Sequence, residues 1–411
     1  MFDDDELRRL REHQLAVFRG KIIYEAQPPV EDGQLAEIER RIGVPVPEGL
    51  VALWRVAFGG SLDYALSVEF GPHVYTASFR ELFYPDSDGY RDLYGWIEHE
   101  QELAEEAAEE AEEDPPGCLH YLPFGGFEYL ERLYVVTDGP QAGAIEIWAQ
   151  GLPPAWKGRL TEDSAATIAN DVAALFDRLE LMSNPLSDDA DPDEPGVQMC
   201  EAIAALGEEH PKLADRLRAL VRASVFDWRG EVESRTFGDE PRQWTAGRIA
   251  WCAAAEGDDL ALVDLLLGQG YPTTREVQGR ATPLVYALSR GASQMARRLL
   301  NSGRPMGEGV AVYARGVDQE LARMLVDASI PLDVDFPLAV ASEGAVEAAA
   351  LLAAEGHRSG DWSDLRKRAV ERAARERQTA SSVEAGTMGS YATPERHREM
   401  AADLVALAQR L

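Results

Sequence analysis

Two similar segments decide the fold of the C-terminal half: AAEGDDLALVDLLLGQG, residues 254–270, and YALSRGASQMARRLLNSG, residues 286–303. Each contains small residues, then a turn, then an apolar pair of leucines and a final glycine. The two final glycines, Gly270 and Gly303, lie 33 residues apart. A fixed period of this length is typical of stacked helical repeats, in which neighbouring units bury one continuous core.

Weaker copies of the pattern follow towards the C-terminus. They are VYARGVDQELARMLVDAS at 312–329 and PLAVASEGAVEAAALLAAEG at 337–356, and their shorter spacing requires trimmed loops. The pattern therefore predicts a repeat region at 246–357. Two arginine-rich helices are expected in 358–411, where they would give the last repeat a polar outer face.

The N-terminal half has a different pattern, which predicts an α+β domain at 1–184. Apolar spacing of three to four residues predicts helices at its start and end, whereas short β-branched and aromatic runs predict strands between them. The expected helices include 6–19 and 164–181, and the expected strands are 66–70, 133–136 and 145–148.

Between the two halves, residues 185–196 are rich in Asp and Pro and poor in apolar residues. This composition predicts an acidic linker. Two further helices are expected directly after it, within a helical connector at 197–245. The sequence thus predicts that the chain separates into two independently folding parts near 185–196.

Charge is distributed unevenly along the chain. The net charge is −32, and residues 1–195 alone contribute −27. Such a field repels nucleic acid and anionic membranes and attracts basic partners. A simpler interpretation is that the acidic residues serve solubility only.

The most acidic segment is EHEQELAEEAAEEAEED, an insertion at 98–114 between the predicted strands. Glu and Ala favour a helix, although like charges at i,i+4 oppose it. One interpretation is a solvated helix or mobile insertion without a specific role. The other is a docking surface for a basic protein, and its candidate binding residues are Glu105, Glu106, Glu109, Glu110, Glu112 and Glu113.

The sequence contains no pattern that indicates catalysis, a cofactor or a metal. The cysteines, Cys118, Cys200 and Cys252, are odd in number and widely spaced, which argues against a disulfide framework and a Cys-rich zinc site. Among the histidines and cysteines, Cys118 and His120 are the only close pair, and two ligands without partners make a weak site. Phosphate-binding, dinucleotide-binding and serine-hydrolase motifs are missing. We therefore expect a protein that is not an enzyme, and a hydrolase of unknown type is a minor alternative.

The chain begins with the acidic residues of MFDDDE rather than the basic and apolar residues of a signal peptide. Its longest apolar runs are shorter than the roughly 18–20 residues that span a bilayer. These features predict a cytoplasmic protein without a membrane partner.

The segment TPLVYALSRGASQMARRLLNSGR, residues 282–304, resembles the ankyrin repeat consensus. The resemblance implies that Thr282 and Pro283 open the first helix, that Ala287 lies at a close helix–helix contact and that Gly291 makes the turn. It also implies that Leu299 and Leu300 face the neighbouring repeat. Ankyrin arrays are binding scaffolds, so the resemblance implies binding without chemistry.

The segment QLAEIERRIGVPVPEGLVALWRVAFGG, residues 34–60, resembles the SUKH superfamily, which includes many bacterial immunity proteins. YLPFGG at 121–126 and the closing helical sequence at 168–181 are similar to the second half of that family. Phe58 departs from the polar residue that often precedes Gly-Gly there. The residues that carry the first match are Glu39, Gly43, Pro47, Glu48, Leu50, Leu53, Gly59 and Gly60.

Together the resemblances imply an α+β SUKH-like N-terminal domain followed by an all-α ankyrin-repeat solenoid. They imply a bacterial immunity protein that binds and neutralises a cognate toxin. The toxin is expected to be a basic protein, and a nuclease is one candidate. The alternative is an intracellular ankyrin scaffold or regulatory adaptor that joins two proteins.

Overall fold

A computed structural model gives the fold of the chain. It describes residues 2–70, 73–87, 91–112, 114, 117–127, 131–149, 165–187, 190–278, 281–307, 314–356, 362–390 and 392–411. The chain divides into two compact units, Met1–Phe226 and Asp227–Leu411. No helix among the described residues is long and apolar enough to span a membrane.

The N-terminal unit is built on a β-sheet of six antiparallel strands that are neighbours in sequence order. A separate two-stranded hairpin, β1 and β2, lies near the start of the chain. The strands are β1 Ala16–Phe18, β2 Lys21–Ile23, β3 Gly60–Phe70, β4 His73–Leu82, β5 Tyr121–Phe127, β6 Glu131–Val136, β7 Ile145–Ala149 and β8 Ala165–Ala169. Strands β3, β6 and β7 confirm the three strands expected from the sequence.

Seven helices complete the described part of this unit. They are α1 Asp4–Glu12, α2 Asp32–Ile42, α3 Glu48–Trp54, α4 Leu93–Glu110, α5 Val172–Arg178, α6 Val197–Glu209 and α7 Pro211–Ser224. Aromatic rings hold the centre of the core, where Phe79 makes edge-on contacts with Phe124 and Phe176. The α+β class expected for this half is confirmed.

Two helices expected from the sequence are shorter than predicted, because strands occupy part of each range. The helix expected at 6–19 ends at Glu12, and the β1–β2 hairpin follows with Arg19 and Gly20 at positive φ in its turn. Primed hairpin turns of this kind match the twist of the strands they join. The helix expected at 164–181 is divided into β8 and α5, and the Asp171 side chain caps α5 by accepting from the Ala174 N–H.

The glycines of the 34–60 segment allow close approaches that no larger residue permits. Gly43 ends α2 in the left-handed conformation, and a Cβ there would lie 2.8 Å from the Gly117 carbonyl oxygen. A Cβ on Gly59 would lie 2.3 Å from the Tyr84 ring. Glu39 closes the turn, since its side chain accepts a hydrogen bond from the Val46 N–H.

The boundary between the two units lies at 226/227 rather than in the expected linker at 185–196. Helices α6 and α7 bury their apolar faces in the core of the N-terminal unit, where Met199, Ile203 and Leu217 are fully buried. The linker sequence is polar because it crosses the surface of this unit. Its end is tied down by Asp63, whose carboxylate accepts a hydrogen bond from the Gly196 N–H. The expected connector at 197–245 is therefore divided between the units.

The C-terminal unit is helical throughout its described elements. Its helices are α8 Trp228–Ser234, α9 Pro241–Gly257, α10 Leu260–Gln269, α11 Pro283–Arg290, α12 Ser293–Asn301, α13 Gln319–Asp327, α14 Phe336–Ser342, α15 Val346–Glu355, α16 Leu365–Glu384 and α17 Pro394–Arg410. Helices α9/α10, α11/α12 and α14/α15 form pairs with left-handed residues in their turns, at Asp258, Gly291 and Gly344. The helices expected near the C-terminus are present as α16 and α17.

Hydrogen bonds join successive helix pairs of this unit. The Asp258 carboxylate, in the α9–α10 turn, accepts from the backbone N–H groups of Gln294 and Met295 at the start of α12. Arg298 of α12 also grips Asp264 of α10 with two hydrogen bonds of 2.6 and 3.0 Å. The α9/α10 pair is thus held to the α11/α12 pair by polar contacts as well as by buried leucines.

The boundary can be tested by truncation. A fragment of residues 1–226 should fold and unfold cooperatively, because it contains the whole core of the N-terminal unit. A fragment ending at residue 184 should not, since it loses the buried side chains of α6 and α7. Circular dichroism melts of the two fragments measure the difference, and equal cooperativity would contradict this boundary.

Packing within α11 and α12 gives a second test. Ala287 is fully buried, so Ala287→Leu should lower the free energy of unfolding by about 1–3 kcal/mol through overpacking. Leu299 is also fully buried, and Leu299→Ala should cost about 2–5 kcal/mol. Val370→Ala is the control, because Val370 is 52% exposed. Unchanged denaturant midpoints in the first two variants would refute the assigned helix contact.

Candidate functional site

Helix α4 carries the acidic segment, and its first half is anchored to the rest of the N-terminal unit. Leu93 and Ile97 are fully buried. Glu100 accepts a hydrogen bond of 3.0 Å from the Tyr134 hydroxyl of β6. Gln101 donates a hydrogen bond of 2.6 Å to the Arg41 carbonyl oxygen at the end of α2. The second half of the helix therefore projects from a fixed base.

That second half presents what we call the acidic surface: Glu105, Glu106, Glu109, Glu110 and Glu112. All five side chains are exposed. Within the described parts of the chain, no ion pair joins any of these carboxylates to an Arg, Lys or His. The sixth candidate residue, Glu113, lies outside the described residues.

The acidic surface is unfavourable for the helix that carries it. Glu105 and Glu109, like Glu106 and Glu110, are like-charged neighbours at i,i+4. They also lie in the last turns of α4, where the helix dipole disfavours negative charge. The first half differs, because there Glu98 pairs with Arg41 at 3.1 Å. The uncompensated charge is therefore confined to the exposed end.

A cavity of about 250 Å³ lies beside the acidic surface, between α4, the end of α2 and residues 117–119. Its lining includes Arg41, Gly43, Glu105 and Cys118. The cavity is polar and has room for a side chain from a docked protein. This side of α4 therefore has a concave shape as well as a negative charge.

Cys118 and His120, the closest pair among the cysteines and histidines of the sequence, both contact Asp138. The Cys118 Sγ lies 3.6 Å from Asp138 Oδ2, and the His120 Nδ1 pairs with the other carboxylate oxygen. Burial, and then the nearby Asp138 carboxylate, raise the pKa of the Cys118 thiol. Because the thiolate is the form that attacks or binds metal, this environment argues against both roles.

The structure brings together one group that the sequence did not indicate. His13, Glu209 and His210 each place a ligand atom within 4.8 Å of the others. Among the described residues this is the one cluster of three such side chains. His13 is separated from the other two by most of the N-terminal unit, so spacing along the chain gave no signal.

A second unexpected group lies in the C-terminal unit. The His397 Nδ1 lies 2.7 Å from Glu376 Oε2, and its Nε2 lies 2.9 Å from the Ser390 hydroxyl. The groups are arranged in the order of a serine–histidine–carboxylate triad. The Ser390 hydroxyl also accepts a hydrogen bond from the Ala392 N–H. The Ser390–His397 bond joins the α16–α17 connection to α17, and the His397–Glu376 bond joins α17 to α16, which is a structural role.

No protein-family model, no curated protein and no solved structure matches this chain.

The unfavourable charge of α4 leads to a stability prediction. Changing Glu105, Glu106, Glu109 and Glu110 to Gln should stabilise the protein by about 0.2–0.5 kcal/mol for each like-charge pair relieved. The gain should shrink at high salt, because screening already weakens the repulsion. Denaturant unfolding at low and high salt measures it. A loss of stability at low salt would show that these side chains make stabilising contacts.

Proposed function

We propose that the chain is an immunity protein that binds a basic protein toxin and neutralises it. The observation that carries the proposal is the acidic surface, an exposed set of carboxylates without cationic partners among the described residues. Because these carboxylates destabilise their own helix, a partner that supplies positive charge would stabilise it on binding. Docking of a basic protein would supply that charge.

The charge of the whole N-terminal unit supports the same partner class. Residues 1–195 carry a net charge of −27, and the basic and acidic residues of 196–226 cancel. A nuclease toxin would need a basic cleft to hold phosphate groups. A strongly acidic unit would be steered onto such a cleft and would cover it. Discrimination between basic toxins would then rest on the cavity beside α4 rather than on charge.

The family assignments belong to this proposal as well. A SUKH-type N-terminal unit is supported by the roles of Glu39, Gly43 and Gly59, which make the turn and close approaches described above. Ankyrin-type repeats are supported by the helix pairs with left-handed turn residues. Thr282 lies at the N-cap of α11, and Gly291 ends that helix in the left-handed conformation.

A second function, that of an adaptor joining two proteins, is favoured by the C-terminal unit. Its first two helix pairs, α9/α10 and α11/α12, are connected by Asp258–Met295 and Arg298–Asp264 contacts. Stacked pairs of this kind form extended binding surfaces. The adaptor function does not require a toxin.

The immunity function can be tested by expressing the product of the gene directly upstream, with and without this protein. Rescue of growth and co-purification of the two proteins are expected. The association rate, measured by stopped flow, should fall steeply as salt rises, since long-range steering is screened. If the upstream gene product is harmless and does not co-purify with this protein, the immunity function is contradicted and the adaptor function remains.

The acidic surface is tested in the same assay with the fourfold variant Glu105→Gln, Glu106→Gln, Glu109→Gln and Glu110→Gln. It should lower the association rate more than it raises the dissociation rate. The control removes four equally exposed carboxylates elsewhere: Glu201, Glu208, Glu233 and Glu276. Equal effects of the two variants would show that net charge, rather than this surface, attracts the toxin.

A further inference from the structure

The histidine cluster of the N-terminal unit is the strongest unassigned feature of the molecule. The rings of His13 and His210 meet edge to face, with their centroids 6.0 Å apart. Glu209 is exposed and directly precedes His210 in the chain. Among the described residues, no hydrogen bond or ion pair occupies any of these three side chains. Their ligand atoms are therefore available to a common guest.

We propose that His13, Glu209 and His210 bind a transition-metal dication of the zinc class. Two imidazole nitrogens and one carboxylate oxygen are ligands that Zn²⁺ takes at about 2.0–2.2 Å. A tetrahedral site with such bonds holds its donors about 3.4 Å apart. The donors here lie within 4.8 Å of one another, so small side-chain rotations complete the site.

The backbone holds the histidines in place before any metal arrives. The His13 N–H donates to the Arg9 and Leu10 carbonyl oxygens at the end of α1. His210 lies between α6 and α7: its N–H donates to the Leu206 carbonyl oxygen, and its own carbonyl oxygen accepts from Leu213 and Ala214. Sites on fixed elements need little ordering when the metal binds.

Contacts outside the cluster also join α1 to α7. Glu6 of α1 pairs with Arg216 of α7, and the Arg216 guanidinium lies 4.2 Å from the centre of the Phe2 ring. These contacts hold the end of α1 beside the α6–α7 turn. A bound metal would add a direct link between two segments that are far apart in sequence.

The donor set determines which metals fit. Imidazole suits zinc, copper, nickel and cobalt, whereas magnesium and calcium prefer oxygen ligands alone. Three protein ligands leave a fourth position for water or for a donor from another molecule. The net charge of −27 on residues 1–195 adds a general attraction for cations, so selectivity must come from the two imidazoles.

The test is a calorimetric titration of ZnCl₂ into the untagged, chelator-treated full chain, in an excess of MgCl₂. The magnesium occupies carboxylates that bind cations without selectivity. We expect one zinc per chain, and a rise in melting temperature with zinc because binding favours the folded state. X-ray absorption should show a shell of nitrogen and oxygen at about 2.0–2.1 Å, without sulfur at about 2.3 Å.

Four variants identify the ligands. Zinc binding should weaken roughly tenfold or more in each of His13→Ala, His210→Ala and the isosteric Glu209→Gln. Mutating even the residues that support metal ligands typically lowers the affinity by about this much. His99→Ala is the control, since His99 lies on α4 against Trp96. Glu209→Gln keeps the shape of an exposed side chain, so it tests the site even if a histidine variant folds poorly.

Cys118→Ser separates this site from the Cys118–Asp138–His120 group and should leave zinc binding unchanged. The proposal is overturned if zinc fails to bind in the presence of magnesium. It is also overturned if the cluster variants bind zinc as the parent does, or if sulfur appears among the ligands.

Discussion

The buried hydroxyl of Tyr64 joins two parts of the N-terminal unit on which the histidine cluster depends. It accepts a hydrogen bond of 2.9 Å from the Ile22 N–H of the β1–β2 hairpin, and it lies 3.9 Å from the Met199 sulfur of α6. One residue of the first sheet strand therefore fixes the hairpin that follows α1 and the helix that leads to His210. Burial raises the pKa of this hydroxyl, which keeps it protonated and able to donate.

The neighbouring Asp63 extends this constraint. At positive φ in the irregular part of β3, it accepts hydrogen bonds from the Tyr24 hydroxyl and from the Gly196 N–H. The end of the acidic stretch, at Gly196, is thereby held against β3. A polar segment that resembles a flexible linker in the sequence thus lies inside a folded unit.

The two candidate sites of this unit use charge in opposite ways. The acidic surface has carboxylates and no described cationic partner, so its field extends into solvent and acts on a distant protein. The histidine cluster has two imidazoles and one carboxylate, so its chemistry is local and requires contact. In the C-terminal unit several arginines pair with carboxylates of other helices, as Arg298 of α12 does with Asp264 of α10.

The sequence by itself determined the α+β class of the first half and the paired helices of the second. It also located the acidic residues of α4, because periodicity, glycine positions and charge runs are local properties. Only the tertiary structure decided that α6 and α7 belong to the N-terminal unit, since their burial depends on the sheet they contact. The strand at Ala165–Ala169 was missed for a similar reason: its conformation is fixed by pairing with β7. His13 and His210 became neighbours only through folding, and no spacing along the chain could have indicated a site made from both.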